Sequence, residues 1–446
     1  MKNKFLMTLL LLVGLIQAQE KQESYSFSLQ QAIDYALQHN YTVINANGDI
    51  AAAKQKKWET TAAGLPQINA GLDYQNNFEL QKSVVPAEFF GGNPGEFTEV
   101  AFGTKHTMLA RATLSQLIFD GSYIVALQAS KTYLKFYENA KQKTNIEIKE
   151  MVINAYGNVL LAEESVAILE KNKATLSKTL NDTEETFKNG LIEEENVEQL
   201  QITLSTINSN LNNTKRLLEI ANKMLKVTLG IDIDSPLALT DKLDSLSVSN
   251  LDMAFSQGEF TVSNNINYQI ATNFTEQRSL ELKLQKSKAL PSLAANLNFG
   301  YNAFNNQFKF FQQEQKWLNY SNVGLSLNVP IFSSFGRQAK TQQAKIALDQ
   351  AKTQLTETEQ KLKLGYQKAK SEYEFSIEEY ATSKINLNLA ERIEKKQEIK
   401  FTEGLSSSFD FSEAQRQLYT AQQSYLQSMV NIITKKAALE KILNKN

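Results

Sequence analysis

The chain of 446 residues has no cysteine, two histidines, six prolines and 18 glycines. Without cysteine there are no disulfides, no thiol catalysis, no thiolate-held metal and no lipid on an N-terminal cysteine. His39 and His106 lie far apart, and no Ser/His/Asp set, phosphate loop or metal-ligand cluster accompanies them, so nothing marks an enzyme or a cofactor site. Neither sign of charge dominates: 47 basic side chains face 48 acidic ones without a basic block, which argues against nucleic acid as a partner. Proline and glycine are so sparse that most of the chain must lie in long uninterrupted elements. Past the N-terminus no segment reads as long and apolar enough to cross a membrane as a helix, so membrane contact is expected from strands.

Lys2 and Lys4 precede the apolar run Phe5 to Ile16, and Gln17-Ala18 follows, with cleavage expected before Gln19. This is the pattern of a secretory signal peptide over residues 1–18. A membrane anchor would need about 20 apolar residues, and this run is well short of that.

Four segments alternate between an oily and a wet face with period two. The clearest is Asn322 to Ile331, where Val323, Leu325, Leu327, Val329 and Ile331 are separated by Asn322, Gly324, Ser326, Asn328 and Pro330. Gln67 to Phe78 carries Ile68, Ala70, Leu72, Tyr74 and Phe78 on one side. In Met108 to Phe119, Met108, Ala110, Ala112 and Leu114 oppose Arg111, Thr113 and Ser115. A further strand runs from Ser292, with Leu293, Ala295, Leu297, Phe299 and Tyr301 on its oily side. Four such strands make no core for so long a chain, but they suit a barrel wall facing lipid. They cannot close alone, since the smallest such barrels use about 8 strands. Trp58, Trp317, Tyr320, Phe332 and Phe335 near the strands read equally well as an interface girdle or as ordinary core.

The remainder reads as helix. Ser122 to Lys188 and Gly336 to Phe401 are long polar helical patterns of roughly 100 Å each, too long to be stabilised except by packing along their length against similar helices. Tyr366, Tyr373, Tyr380 and Leu387, with Leu355, Leu362 and Ala369, are expected to make that packing. The halves repeat. Gly64-Leu65-Pro66 matches Ala289-Leu290-Pro291, Leu117 to Gly121 matches Pro330 to Ser334, and Phe187-Lys188-Asn189-Gly190-Leu191 matches Phe401-Thr402-Glu403-Gly404-Leu405. The domains expected are a first structural repeat over 19–230, an equatorial connector over 231–254 and a second repeat over 255–446. Each long helix would run the full length of a shaft and return as two shorter runs, so connector and termini would meet partway along it.

These anchors resemble those of the TolC-type outer membrane efflux protein family. Its repeated Pro-Ile-Phe-Asp-Gly corner is similar to Leu117-Ile118-Phe119-Asp120-Gly121, with Leu for Pro, and to Pro330-Ile331-Phe332, with Ser333-Ser334 for Asp-Gly. The resemblance implies a membrane β-barrel plus a long α-helical barrel, internally duplicated, in which four strands per protomer contribute to a 12-stranded barrel of a homotrimer. It places the protein in the outer membrane lipid with a periplasmic extension. There it would be the exit duct of a tripartite efflux or type I secretion system, with a periplasmic adaptor (membrane fusion) protein and an inner-membrane transporter as partners.

The same resemblance puts a periplasmic gate at Asp410 and Glu413, which follow the Gly404-Leu405 turn and share a helix face. Three copies of each would narrow the entrance and favour cations. The other reading is that they are first-turn acids complementing a helix dipole. Asn196 and Gln199 are their neutral equivalents in the first repeat, and Glu193, Glu194 and Glu195 read as first-turn acids. Gly190, Leu191, Gly404 and Leu405 would be the tips that meet the adaptor, a role compatible with their being plain glycine-capped turns. Against the duct stands a secreted coiled-coil structural or adhesive protein, for which oily strand faces at matched places in each half would have no use.

Overall fold

The computed structural model describes residues 24–252, 255 and 260–444, so the expected signal peptide lies outside the described residues. In chain order the first repeat comprises β1 (Tyr25–Phe27), α1 (Leu29–His39), α2 (Tyr41–Ala62), β2 (Gln67–Asn76), the hairpin β3 (Lys82–Pro86) and β4 (Phe97–Ala101), β5 (His106–Asp120), α3 (Gly121–Lys188) and α4 (Glu194–Leu229). Next come β6 (Leu237–Leu239) and α5 (Leu243–Ser249). The second repeat follows as α6 (Ile266–Ser287), β7 (Ser292–Asn305), β8 (Trp317–Asn328), α7 (Gly336–Thr402) and α8 (Ser408–Leu443).

The duplication is visible in element lengths. Helices of 22, 68 and 36 residues in the first repeat correspond to helices of 22, 67 and 36 in the second. The extra chain of the first repeat is the β3–β4 hairpin. The strand expected over Asn322 to Ile331 begins earlier, at Trp317, and stops at Asn328. Pro330 cannot donate to a ladder, so pairing ends before it.

The chain divides into two compact units, one of Met1–Ile50, Tyr137–Thr272 and Gln354–Asn446, the other of Ala51–Phe136 and Asn273–Thr353. The second unit contains the four-stranded antiparallel sheet in the order β2-β5-β7-β8. Pairing of β5 with β7 joins the two repeats, with one irregularity between Leu117 and Phe119. One face carries Ile68, Leu72, Val323, Leu325 and Leu327, all exposed in the single chain, and the other carries mainly polar residues, Asn, Gln, Thr and Ser with Asp73, Arg111 and Tyr320. Both outer strands leave an edge unpaired.

In the first unit β1 and β6 pair in parallel, joining segments from the start of the chain and from the connector. Beside them Tyr156 of α3 is fully buried, and its hydroxyl donates to the Phe27 carbonyl (3.0 Å) and to Asp241 Oδ2 (3.1 Å). Burial pushes its ionisation well above the usual phenol range. Tyr373 of α7 does the same work in the second repeat, donating to the Asn250 carbonyl at 2.7 Å. Tyr373 and Tyr380 are buried among helices, as their spacing predicts, and Tyr366 stacks on Phe260 at 4.7 Å.

A second repeated device joins helices end to end. Asn40, between α1 and α2, donates from Nδ2 to the Thr228 carbonyl in the last turn of α4 (2.7 Å) and accepts the Thr42 amide (2.8 Å). Asn265 donates to the Ile442 carbonyl in the last turn of α8 (2.8 Å) and accepts the Asn267 amide (2.9 Å). Each side chain thus satisfies one orphan carbonyl and one orphan amide at a helix junction.

One expectation fails. α3 contains a window of 18 residues long and apolar enough, by composition, to cross a membrane, and 44% of that window is buried. Within α3, Ile148, Val152, Tyr156, Val159 and Leu160 recur at helical spacing and are buried in the first unit's core, which accounts for apolar residues in this helix.

Candidate functional site

The candidate gate residues all sit in the first unit, around two matched turns. Gly190 follows the end of α3 and Gly404 that of α7, with φ of 73° and 71°. In each turn two amides fold back: Gly190 to the Phe187 carbonyl and Leu191 to that of Thr186, Gly404 to Phe401 and Leu405 to Lys400. This is the glycine-capped helix end that the Gly-Leu pairs predict. Leu191 and Leu405 protrude, 74% and 78% exposed.

Below the turns the two helix pairs are fastened by a small core. Phe411 is fully buried, lies parallel to Phe401 with ring centroids 5.4 Å apart, and joins Leu176, Leu200 and Ile207. Asn196 Oδ1 accepts the Ser408 amide at 3.2 Å, so the first repeat caps the start of the second repeat's α8. Thr203 donates to Ser412 Oγ at 3.4 Å.

Asp410 is exposed and belongs to a capping box. Its amide donates to Ser407 Oγ at 3.1 Å, and its Oδ2 accepts from that hydroxyl at 2.8 Å and from the Ser407 amide at 3.4 Å. The Ser407 hydrogen bonds hold its carboxyl below the usual range. This geometry realises the helix-start reading of Asp410. Glu413, one turn on, takes Arg416 in a two-point ion pair (2.9 and 2.7 Å) and Gln417 at 3.0 Å, which lower its pKa. Arg416 is the partner that sequence reading missed; the signal was its position three residues after Glu413. Gln199, Glu413 and Arg416 border a groove of about 710 Å³ that also includes Ile202, Ile207 and Tyr419. Glu193 precedes α4 as its N-cap, and Glu194 and Glu195 fall in the first turn.

Deeper between α7 and α8, burial and then the neighbouring Glu398 push the Glu394 carboxyl up, and Gln415 beside it is 1% exposed. His39 stacks on Tyr35 and His106 Nδ1 meets the Tyr74 hydroxyl at 2.9 Å, so each has a local structural setting. Among the described residues no group of three His, Cys, Asp or Glu could hold a metal ion.

The family model for outer membrane efflux proteins matches residues 271–445. No curated relative matches the chain. Solved structures match over nearly all of it. CusC, described in terms of folding and transmembrane channel formation, is 16% identical with a TM-score of 0.74 over 96% of this chain and 95% of its own. The CmeC outer membrane channel of Campylobacter jejuni is 16% identical with a TM-score of 0.73, over 93% of this chain and 85% of its own. The outer membrane protein VceC of Vibrio cholerae is 15% identical with a TM-score of 0.72, over 93% and 96%. At such identities the likeness is one of fold, and the fold is TolC-like: a four-stranded sheet plus long paired helices. The second half of the chain thus matches the family model for outer membrane efflux proteins, and the described length carries a TolC-like fold.

Proposed function

We propose that this chain is the exit duct of a tripartite efflux or type I secretion system, passively conducting substrates from a periplasmic adaptor and an inner-membrane pump to the exterior. The observation that carries the reading is the four-stranded sheet: one face apolar and exposed, the other polar, and two edges open. Open edges of that length are a liability unless another strand pairs with them. β2 and β8 run antiparallel to each other across the sheet, so β8 of one copy can pair with β2 of the next without breaking the alternation. Three copies would supply 12 strands, a barrel with lipid outside and water within. Exposed apolar stripes on α4 (Leu217, Ile220, Met224, Val227) and on α7 (Leu364, Phe375, Ile385, Leu389) would be covered by neighbouring copies in the same ring.

In this reading Asp410, Glu413, Asn196 and Gln199 line the periplasmic entrance. The Arg416 partner offsets Glu413 while the pair is intact, so Asp410 supplies most of the local negative charge. Gly190, Leu191, Gly404 and Leu405 are the tips offered to the adaptor, and the exposed leucines suit an apolar contact.

The test is planar-bilayer conductance of purified protein beside Asp410→Ala/Glu413→Ala. Discrete cation-selective openings, with selectivity weakened in the double variant, are expected. Failure to insert into bilayers or to form trimers in detergent-extracted outer membrane would overturn the duct in favour of a secreted coiled coil.

A further inference from the structure

Across the middle of the sheet one row of directly opposed residues is unlike the rest: Gly71, Arg111, Gly300 and Tyr320. It lies on the polar face, next to the row Asn69, Thr113, Asn298 and Asn322, in which Thr113 donates to Asn298 Oδ1 (2.8 Å) and Asn298 to Asn322 Oδ1 (3.0 Å). Asp73, two residues from Gly71 on the same face, pairs with Arg111 at 3.2 Å. Apart from His106 and Asp120 at the ends of β5, Asp73 and Arg111 are the only titratable or charged side chains of the four strands apart from the tyrosines.

Stability does not explain the arrangement. An ion pair whose side chains are 54% and 59% exposed contributes little, and glycine inside a strand weakens it. At Gly300, glycine instead gives a large side chain somewhere to lie. A Cβ on Gly300 would stand 2.7 Å from both the Ala110 carbonyl and the Tyr320 ring, which lies across Gly300. The Arg111 arm passes over Gly71 toward Asp73, its Nε at ordinary contact distance, 3.8 Å, from where a Cβ on Gly71 would stand. Charge and ring are both folded down onto the wall.

We propose that Asp73 and Arg111, the Arg111 arm lying over Gly71, form a charge-balanced belt that sets the electrostatic selectivity of the strand section. Asp73 pins Arg111 to the wall and cancels its charge, so cations and anions meet no net field there. Removing either member leaves the other's charge exposed to whatever passes. The proposal rests on the reading that the polar face lines the bore.

The absence of cysteine makes the test direct, since an introduced thiol is the only one in the chain. Thr113→Cys lies on the polar face two residues from Arg111, and Leu325→Cys lies on the apolar face. Their modification by membrane-impermeant methanethiosulfonates, one cationic and one anionic, is measured in proteoliposomes. The reagents approach from both sides, so the readout does not depend on an open periplasmic entrance. The expected result is that Asp73→Asn raises the anionic-to-cationic rate ratio at Thr113→Cys roughly two- to five-fold, and Arg111→Gln lowers it by a similar factor. The double variant returns to the parental ratio. Equal ratios in all backgrounds, with Thr113→Cys reactive, overturn the belt. A Thr113→Cys thiol that never reacts while Leu325→Cys does overturns the bore reading instead.

Discussion

The twin asparagine joints invite a quantitative test, because the same chemistry occurs twice in one chain. Asn40 is 7% exposed and Asn265 is 2% exposed, and each makes two hydrogen bonds that nothing else replaces. Asn40→Ala removes a helix N-cap, worth about 1 kcal/mol, and leaves the Thr228 carbonyl without its donor, about 1–2 kcal/mol more. The same sum applies to Asn265→Ala and the Ile442 carbonyl. A local loss of about 2 kcal/mol corresponds to a roughly 30-fold rise in opening, read as hydrogen exchange at the Thr42 amide for one joint and the Asn267 amide for the other. Serine at either position keeps the cap acceptor and loses the donor, so it should recover about half the effect. The joints are separate and share no partner, so the double variant should be additive. Unchanged exchange at Thr42 in Asn40→Ala, with the protein folded, would refute the assignment of these residues as load carriers at the helix junctions.

Three further outcomes are expected near the turns. Phe411→Ala empties a fully buried, stacked position and should cost about 3–5 kcal/mol, seen as faster limited proteolysis at the Gly404 turn. Leu405→Ala, at an exposed tip, should change stability by less than about 0.5 kcal/mol and leave cleavage nearly unaltered. For Asp410 the sign follows from its lowered pKa: its contribution is present above the ordinary carboxylate value of about 4 and is lost as pH falls through the lower folded-state value. The difference in melting midpoint between the native chain and Asp410→Ala should therefore be constant from about pH 5 to 8 and shrink at lower pH. A difference that grew on acidification would contradict the capping-box assignment.

Much of this molecule is legible in its sequence, because its signals are local and periodic. Period-two alternation marks the four strands, a dearth of proline and glycine marks the long helices, and the repeated Gly-Leu turns mark where they end. Those properties depend on neighbours within a few residues along the chain. Tertiary structure alone decides what depends on residues far apart: the parallel pairing of Tyr25–Phe27 with Leu237–Leu239, and the seat of Tyr156 beside Asp241. It also decides the capping of α8 by Asn196 and the row that brings Gly71, Arg111, Gly300 and Tyr320 together. Asp410 shows the division at a single residue. Its place after a glycine turn and three residues beyond the serine that caps it is written in the sequence, but the phenylalanine core beside it takes shape only once both repeats have packed, since burial is a property of the folded neighbourhood and not of the residue.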